Sequence, residues 1–145
     1  MEHLEKGIRD LDRKIAHGKL VMDNGFIRAR IPQRGIVALH IPTEHQTPPD
    51  KVLRMMRGGL RDLATRIEGD DSLSAIRRIV AASWIATRHP YILEQLGFHV
   101  DTEAEEPEAA EFLKRYNKSD TYGKGPATFV YISREELLNK YGNNA

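Results

Sequence analysis

Residues 79–86 read IVAASWIA, an almost unbroken apolar run of the length of one strand. Such a run, without alternation between apolar and polar residues, is typical of a strand that is covered on both faces. The sequence therefore predicts that this strand lies at the middle of a sheet. Because neighbouring side chains of a strand point to opposite faces, Trp84 is expected in the core, on the face opposite Ser83 and Ile85.

The segments that follow this run are predicted to alternate between helix and strand. His89-Pro90 suits the start of a helix over residues 91–96, which Gly97 ends before a short strand over residues 98–100. The acidic stretch beyond it is expected to form a helix from about Pro107. Three of its side chains are predicted to be buried: Phe112, Leu113 and Tyr116.

The chain is predicted to end in a loop, a strand and a helix. Residues 117–126 are rich in glycine and polar residues and indicate a loop, and residues 127–132, ATFVYI, indicate a strand. Ser133 is followed three residues later by Glu136, the pattern of a capping box. A last helix is therefore expected to begin after Ser133.

Three strands are predicted to precede the central run. Residues 19–22 and 26–31 flank Asp23-Asn24-Gly25, and Asn-Gly supplies the positive φ angles of a tight hairpin turn. A third strand over residues 35–41 completes an antiparallel meander. Ahead of the meander, an amphipathic helix that ends at Gly18 is predicted from four apolar residues at helical spacing: Leu4, Ile8, Leu11 and Ile15.

A long helix is predicted between the third strand and the central run. Thr47 is expected to cap it, with Pro48 in its first turn and its end near Gly69. Gly58 and Gly59 stand inside it, and each costs about 1 kcal/mol relative to alanine. They indicate the close approach of a neighbouring backbone or a local kink. The apolar residues of the helix share one face: Val52, Met56, Leu60, Leu63 and Ile67.

This order of elements predicts one α+β domain over residues 1–145, a mixed sheet with helices on its faces. Apolar residues make up 40% of the chain and charged residues 30%, which is ordinary for a globular domain. The chain has no cysteine, which excludes disulfides, thiolate metal sites and cysteine nucleophiles. No apolar run approaches the ~20 residues of a membrane helix and the N-terminus is charged, so a cytoplasmic protein without membrane contact is expected. The net charge of +1 does not favour nucleic-acid binding, and no metal site is predicted.

Residues 92–100, ILEQLGFHV, contain a leucine-glycine-phenylalanine step where a short helix is predicted to meet a strand. This step, with the order of elements over residues 36–132, resembles the GNAT N-acetyltransferases. The resemblance implies a GNAT-like mixed sheet, with a helix and meander over residues 1–41 and an acyl-CoA half over residues 42–145. It also implies acetyl-CoA or another acyl-CoA as the cofactor and a small-molecule or peptide amine as the acceptor.

In that family, the loop before the long helix grips the cofactor pyrophosphate through backbone N–H groups. The family loop usually reads Gln/Arg-x-x-Gly-x-Gly/Ala, whereas residues 42–50 read PTEHQTPPD and contain no glycine. The family positions of a pantetheine-holding asparagine and of a tyrosine general acid fall on Ala86 and Leu93. A domain that has lost catalysis is therefore one interpretation. The candidate cofactor-binding residues are Thr47, Arg54, Arg57, Gly58 and Ser83.

The end of the third strand is where a GNAT enzyme places its general base or a bound water. An imidazole, whose ordinary pKa is about 6.5, suits proton removal from an amine, and a carboxylate is the alternative base. The candidate catalytic residues are His40, Glu44 and His45. Arg28, Arg30 and Arg34 are predicted to gather near one sheet edge, where guanidinium groups can hold phosphate oxygens.

Two functions stay open at this point. One is an acyl-CoA-dependent N-acyltransferase, and the other is a non-catalytic interaction domain of the same fold. The second would use a sheet edge or the Gly58-Gly59 helix face to bind a second copy, as a homodimer, or another protein. The conformation of residues 42–50 discriminates between them, because N–H groups that converge on a cleft favour the enzyme and prolines that fill the cleft oppose it.

Overall fold

The computed structural model describes residues 19–41, 47–117 and 127–143. The predicted helix from Leu4 to Ile15 lies outside these residues, and so do residues 118–126 of the predicted loop.

The strands are β1 Lys19–Asp23, β2 Arg28–Gln33, β3 Ile36–His40, β4 Arg78–Ser83, β5 His99–Asp101 and β6 Thr128–Ser133. They form one six-stranded sheet in the order β1-β2-β3-β4-β6-β5. β3 and β4 are parallel, and all other neighbouring strands of this sheet are antiparallel. The predicted mixed sheet is therefore confirmed, and β4 lies in its interior as predicted.

The helices are α1 Pro49–Gly69, α2 Trp84–Arg88, α3 Pro90–Gln95, α4 Ala109–Asn117 and α5 Arg134–Tyr141, with a 3-10 turn at Asp71–Leu73. α1 connects the parallel strands β3 and β4 and so forms a crossover unit with them. Sheet and helices together make an α+β architecture.

The larger core lies between one face of the sheet and the helices α1, α3 and α5. The predicted apolar face of α1 is confirmed, because each of its five side chains is at most 1% exposed. Burying a side chain of this size contributes about 1.5–3 kcal/mol. On the other face of the sheet, a smaller cluster around Phe129 packs α4 against β4 and β6. The helices thus cover both faces of β4.

The first hairpin has a longer loop than the sequence predicted. β2 begins at Arg28, so Phe26 belongs to the loop and not to a strand. The Asn24 side chain causes this, because its Oδ1 accepts hydrogen bonds from the N–H groups of Phe26 and Ile27 at 3.0 and 2.8 Å. Gly25 takes the positive φ of 88°, as the turn requires. Both Phe26 and Ile27 are buried, and the loop therefore supplies part of the larger core.

The central strand is shorter than predicted. It ends at Ser83, and Trp84 to Arg88 form α2, so the prediction of a strand through Ala86 was wrong. The Oγ of Ser83 accepts a hydrogen bond of 3.1 Å from the N–H of Ala86, which caps α2 and turns the chain out of the sheet. Trp84 is half-buried at the first position of α2, not on a strand face in the core.

The start of α1 also differs from the prediction. The cap residue is Pro48 and Pro49 is the first helical residue, so the expected cap at Thr47 was wrong. Proline fits this first position because its fixed φ suits the helix and its missing N–H would have no partner there. The other predicted ends agree: α1 ends at Gly69, Gly97 has a φ of 97°, and Ser133 and Glu136 form the capping box.

One of the two helix glycines has a packing reason. A Cβ on Gly59 would clash with the side chain of Ile27, whose Cγ1 would lie 2.9 Å away. The close neighbour is thus a side chain of the hairpin loop, whereas the sequence predicted a neighbouring backbone or a local kink. Gly58 is different, because no described residue lies within 4 Å of the position that its Cβ would take.

Candidate functional site

The carboxyl ends of β3 and β4 meet at one edge of the sheet, because these strands are parallel. Pairing is in register from Ile36 opposite Arg78 to Leu39 opposite Ala81. In sheets with such crossover units, ligands bind outside the carboxyl ends of parallel strands. We call this edge, with the first turn of α1, the carboxyl edge.

His40 is the last residue of β3 and lies at the carboxyl edge, where it is exposed and opposite Arg28 of β2. Its position leaves an imidazole accessible to a substrate. The other two candidate bases, Glu44 and His45, lie outside the described residues.

The first turn of α1 offers few hydrogen-bond donors. Pro48 and Pro49 have no N–H, and the N–H of Val52 donates to the carbonyl of Pro48 at 3.0 Å. The N–H groups of Asp50 and Lys51 have no partner within the helix, as is general for a first turn. A helix start with two such donors can still hold one anionic group, although the carboxylate of Asp50 opposes it.

The hydroxyl groups of Thr87 and Thr128 lie together at the end of β4. The Thr87 hydroxyl donates to the carbonyl of Ser83 at 3.3 Å, and its Oγ1 lies 2.7 Å from that of Thr128. Thr128 is opposite Ser83 in the register of β4 and β6. Ser83 itself is 1% exposed and caps α2, so a ligand would reach Thr87 and Thr128 before Ser83. The sequence reasoning missed both threonines, because only the strand register brings Thr128 to this place.

The remaining candidate cofactor residues are spread over two environments. Arg54, Arg57 and Gly58 lie on the exposed face of α1, whereas Ser83 is buried at the end of β4. Thr47 is half-buried two residues before α1 begins. Of these candidates, Thr47 and Arg54 are the two nearest in the chain to the first turn of α1.

The arginines of the meander do not form one cluster. Arg28 forms an ion pair with Asp23, with 3.1 Å between Nε and Oδ2, and Arg34 lies in the turn beyond the other end of β2. The N–H of Gly25 and then the Arg28 guanidinium lower the pKa of Asp23. β2 is also not an edge strand, since β1 and β3 flank it. The prediction of three guanidinium groups at one sheet edge was wrong.

The positions that the GNAT resemblance gives to an asparagine and a tyrosine are both apolar and buried. Ala86 is 2% exposed and Leu93 is 4% exposed, and both belong to the larger core. Tyr91 is 54% exposed, because a step of two residues along α3 points its side chain away from the buried Leu93. No hydroxyl or amide replaces the family groups at these two positions.

A polar network lies on the face of the sheet that α4 covers, opposite the larger core. Arg78 of β4 forms ion pairs with Glu106 and Glu108, and its guanidinium carbon lies 5.1 Å from the ring centre of Tyr131. A hydrogen bond with Glu106, and then burial, raises the pKa of Tyr131. These contacts fix the segment before α4 on the sheet. The sequence reasoning missed this network, since residues 78 and 108 are far apart in the chain.

Two depressions in the described surface lie away from the carboxyl edge. One, of about 380 Å³, is lined by β1 and the end of α1, including Lys19, Arg66 and Asp70. The other, of about 400 Å³, is lined by Val100, Asp101, Glu105, Glu106 and Tyr131. Within residues 19–41, 47–117 and 127–143, no three His, Asp or Glu side chains are placed to hold a metal ion. Among these residues there is also no helix with the length and apolar character of a membrane span.

Comparisons with protein-family models, with curated proteins and with solved structures find no match to this chain.

Proposed function

We propose that the protein is an acyl-CoA-dependent N-acyltransferase of GNAT-like fold that acts at the carboxyl edge. The observation that carries the proposal is the parallel pair β3 and β4 with α1 as its crossover. From β3 onward, the described elements follow the order that prompted the resemblance: strand, long helix, central strand, shorter helices and two final strands. The exposed His40 at this edge adds a group that can accept a proton.

Acetyl-CoA or another acyl-CoA would place its pyrophosphate at the start of α1. The donors there are the N–H groups of Asp50 and Lys51, with Thr47 before the helix and Arg54 one turn into it. Two donors are fewer than a glycine-rich loop provides, so we expect weaker cofactor binding than is usual for such a site. The acyl group would then lie between the ends of β3 and β4.

The reaction in this proposal is a direct transfer without a covalent enzyme intermediate. A base among His40, Glu44 and His45 takes a proton from the acceptor amine, and the amine nitrogen attacks the thioester carbonyl carbon. The new C–N bond forms, the C–S bond breaks, and the departing thiolate takes a proton from the protonated base. Ala86 and Leu93 cannot supply that proton, so one group serves as base and then as acid.

The hydroxyl groups of Thr87 and Thr128 would bind the amine acceptor in this arrangement. They lie at the end of β4, on the side of it away from β3, and both carry polar atoms near the surface. An acceptor held there presents its amine toward the ends of β3 and β4. Small-molecule amines and peptide amino groups both fit this description.

The test is acyl transfer from acetyl-CoA to a panel of small amines and peptides, followed by mass spectrometry of the product and by release of free thiol. His40→Ala is expected to lower the rate by about 10²–10⁴-fold if His40 is the base. His99→Ala is the matched control, because His99 is also exposed but lies on β5. If His40→Ala and His99→Ala transfer the acyl group at the same rate, the base is another residue. If no amine is acylated, the proposal is wrong.

A non-catalytic interaction domain remains the second candidate function. The observation that favours it is Gly58, which is exposed in the middle of α1 and has no close neighbour within residues 19–41, 47–117 and 127–143.

A further inference from the structure

Gly58 weakens α1 and meets no packing neighbour in the described part of the chain. Glycine inside a helix costs about 0.5–1 kcal/mol relative to alanine. Gly59 has a compensating contact with Ile27, but the space around Gly58 is open. Among the residues that the structure describes, an alanine would fit at residue 58, so the glycine leaves the outer surface of the helix bare there.

The helix surface around Gly58 is strongly basic. Residues 51–61 contain four basic residues and no acidic residue, and the surface has a net positive charge although the exposed Asp50 and Asp62 flank it. The four basic residues are Lys51, Arg54, Arg57 and Arg61, and we call them the basic face. They are exposed and form no ion pair with any other residue that the structure describes. Guanidinium groups arranged in this way bind carboxylates well, because their donors match two oxygens at once.

The same chain carries a surface of opposite charge. Residues 101–111 contain six acidic residues and no basic residue. Arg78 neutralises part of this charge through Glu106 and Glu108, while Glu103 and Glu105 are exposed. The depression of about 400 Å³ lies in this acidic segment and has Asp101, Glu105 and Glu106 in its wall. It is polar and wide enough for an arginine side chain.

These two surfaces cannot meet within one molecule. α1 packs on one face of the sheet, and residues 101–111 lead into α4, which packs on the opposite face. We propose that the basic face of one copy binds the acidic segment, residues 101–111, of a second copy. The bare surface at Gly58 lets the backbone of that segment approach the helix, and an arginine of the basic face enters the acid-lined depression.

This contact is heterologous, because two different surfaces meet. In a pair, one copy keeps its acidic segment free and the other copy keeps its basic face free. Association is therefore head to tail and extends beyond a dimer as the concentration rises. The ion pairs lie at the surface, so salt weakens the contact: the Debye length falls from about 30 Å at 0.01 M to about 3 Å at 1 M ionic strength.

Sedimentation of the full chain, without cofactor, tests the proposal. We expect the average mass to rise with protein concentration at low ionic strength and to return to that of the monomer near 1 M salt. The doubly neutralised variants Arg57→Gln with Arg61→Gln, and Glu103→Gln with Glu105→Gln, should each be monomeric alone. Mixed together they should form a dimer and nothing larger, because each retains one of the two surfaces. Arg77→Gln with Arg88→Gln is the matched control and should associate like the original chain.

Gly58→Leu provides a second readout that does not depend on charge. A leucine should stabilise the helix against unfolding and yet weaken association at least about tenfold, which a folding defect cannot produce. A monomeric original chain at low salt overturns the proposal, and so does association that persists in both neutralised variants. If the chain stays monomeric but binds a short duplex DNA through Arg57 and Arg61, the basic face is a nucleic-acid interface and the proposal is also wrong.

Discussion

The Tyr141 hydroxyl donates a hydrogen bond of 2.6 Å to the carbonyl oxygen of Leu96. This bond joins the last turn of α5 to the end of α3, and both groups belong to the buried part of the larger core. The contact fixes two helices that together cover one face of the sheet. It connects residues that are 45 positions apart in the chain.

Tyr141→Phe should therefore lower stability. The variant keeps the ring but leaves the Leu96 carbonyl without this donor, and we expect a loss of about 1–2 kcal/mol in the free energy of unfolding. Urea unfolding of both proteins at pH 7 measures the difference. An unchanged midpoint would show that water replaces the hydroxyl at no cost.

The same tyrosine gives a prediction for alkaline pH. Burial raises the pKa of Tyr141 to about 12, whereas an unfolded tyrosine titrates at about 10. The unfolded chain releases this proton first, so the contribution is complete below pH of about 10 and is lost as the pH rises toward about 12. Over that range the original chain should lose about 2 kcal/mol more than Tyr141→Phe. If the free energy of unfolding falls equally with pH in both proteins, the Tyr141 hydroxyl is not buried as described.

The adjacent helix glycines should respond in opposite directions to alanine. Gly59→Ala forces Ile27 to move and should destabilise the protein by about 1–3 kcal/mol. Gly58→Ala meets no atom of the described chain and should stabilise it by about 0.5–1 kcal/mol. Thermal unfolding of the two variants side by side checks the pair. Equal shifts would mean that Ile27 does not pack against α1 as described.

Ser83→Ala should separate a structural role from a cofactor role. Loss of the cap on α2 should cost about 1 kcal/mol of stability, while the affinity for acetyl-CoA should not change. Thr87→Val is the companion variant, because it keeps the cap and removes a hydroxyl at the carboxyl edge. A lower cofactor affinity in Ser83→Ala, with stability unchanged, would restore Ser83 as a binding residue.

Arg78→Ala should loosen the segment before α4. The substitution leaves Glu106 and Glu108 half-buried without their cation, which we expect to cost about 2 kcal/mol. Arg88→Ala is the control, since Arg88 is exposed and has no ion pair among the described residues. Hydrogen exchange should rise in α4 for Arg78→Ala alone, and exchange that stays unchanged there would argue against the network.

Apart from α2, which was predicted as part of a strand, the sequence predicted the order of elements from β1 to α5 because their apolar patterns are local. Periodicity placed the buried face of α1, and Ser133 with Glu136 placed the start of α5. The errors came from side chains that compete with strand backbone: Asn24 lengthened the hairpin loop, and Ser83 ended β4 before Trp84. Both act through hydrogen bonds that an apolar run does not reveal.

The site was harder to predict because it depends on register. Pairing across the sheet brings Thr128 beside Thr87 and separates Arg34 from Arg28, and neither relationship is visible in residue spacing. His40 was predicted at the end of a strand, and it lies there. Its role as a base stays a prediction.

Calorimetric titration with acetyl-CoA, and with free CoA, tests the acyltransferase account most directly. The account predicts saturable micromolar binding of both, weakened by Arg54→Gln and unchanged by Arg88→Gln. No heat and no shift in melting temperature at millimolar acetyl-CoA would contradict it and leave protein interaction as the function to pursue.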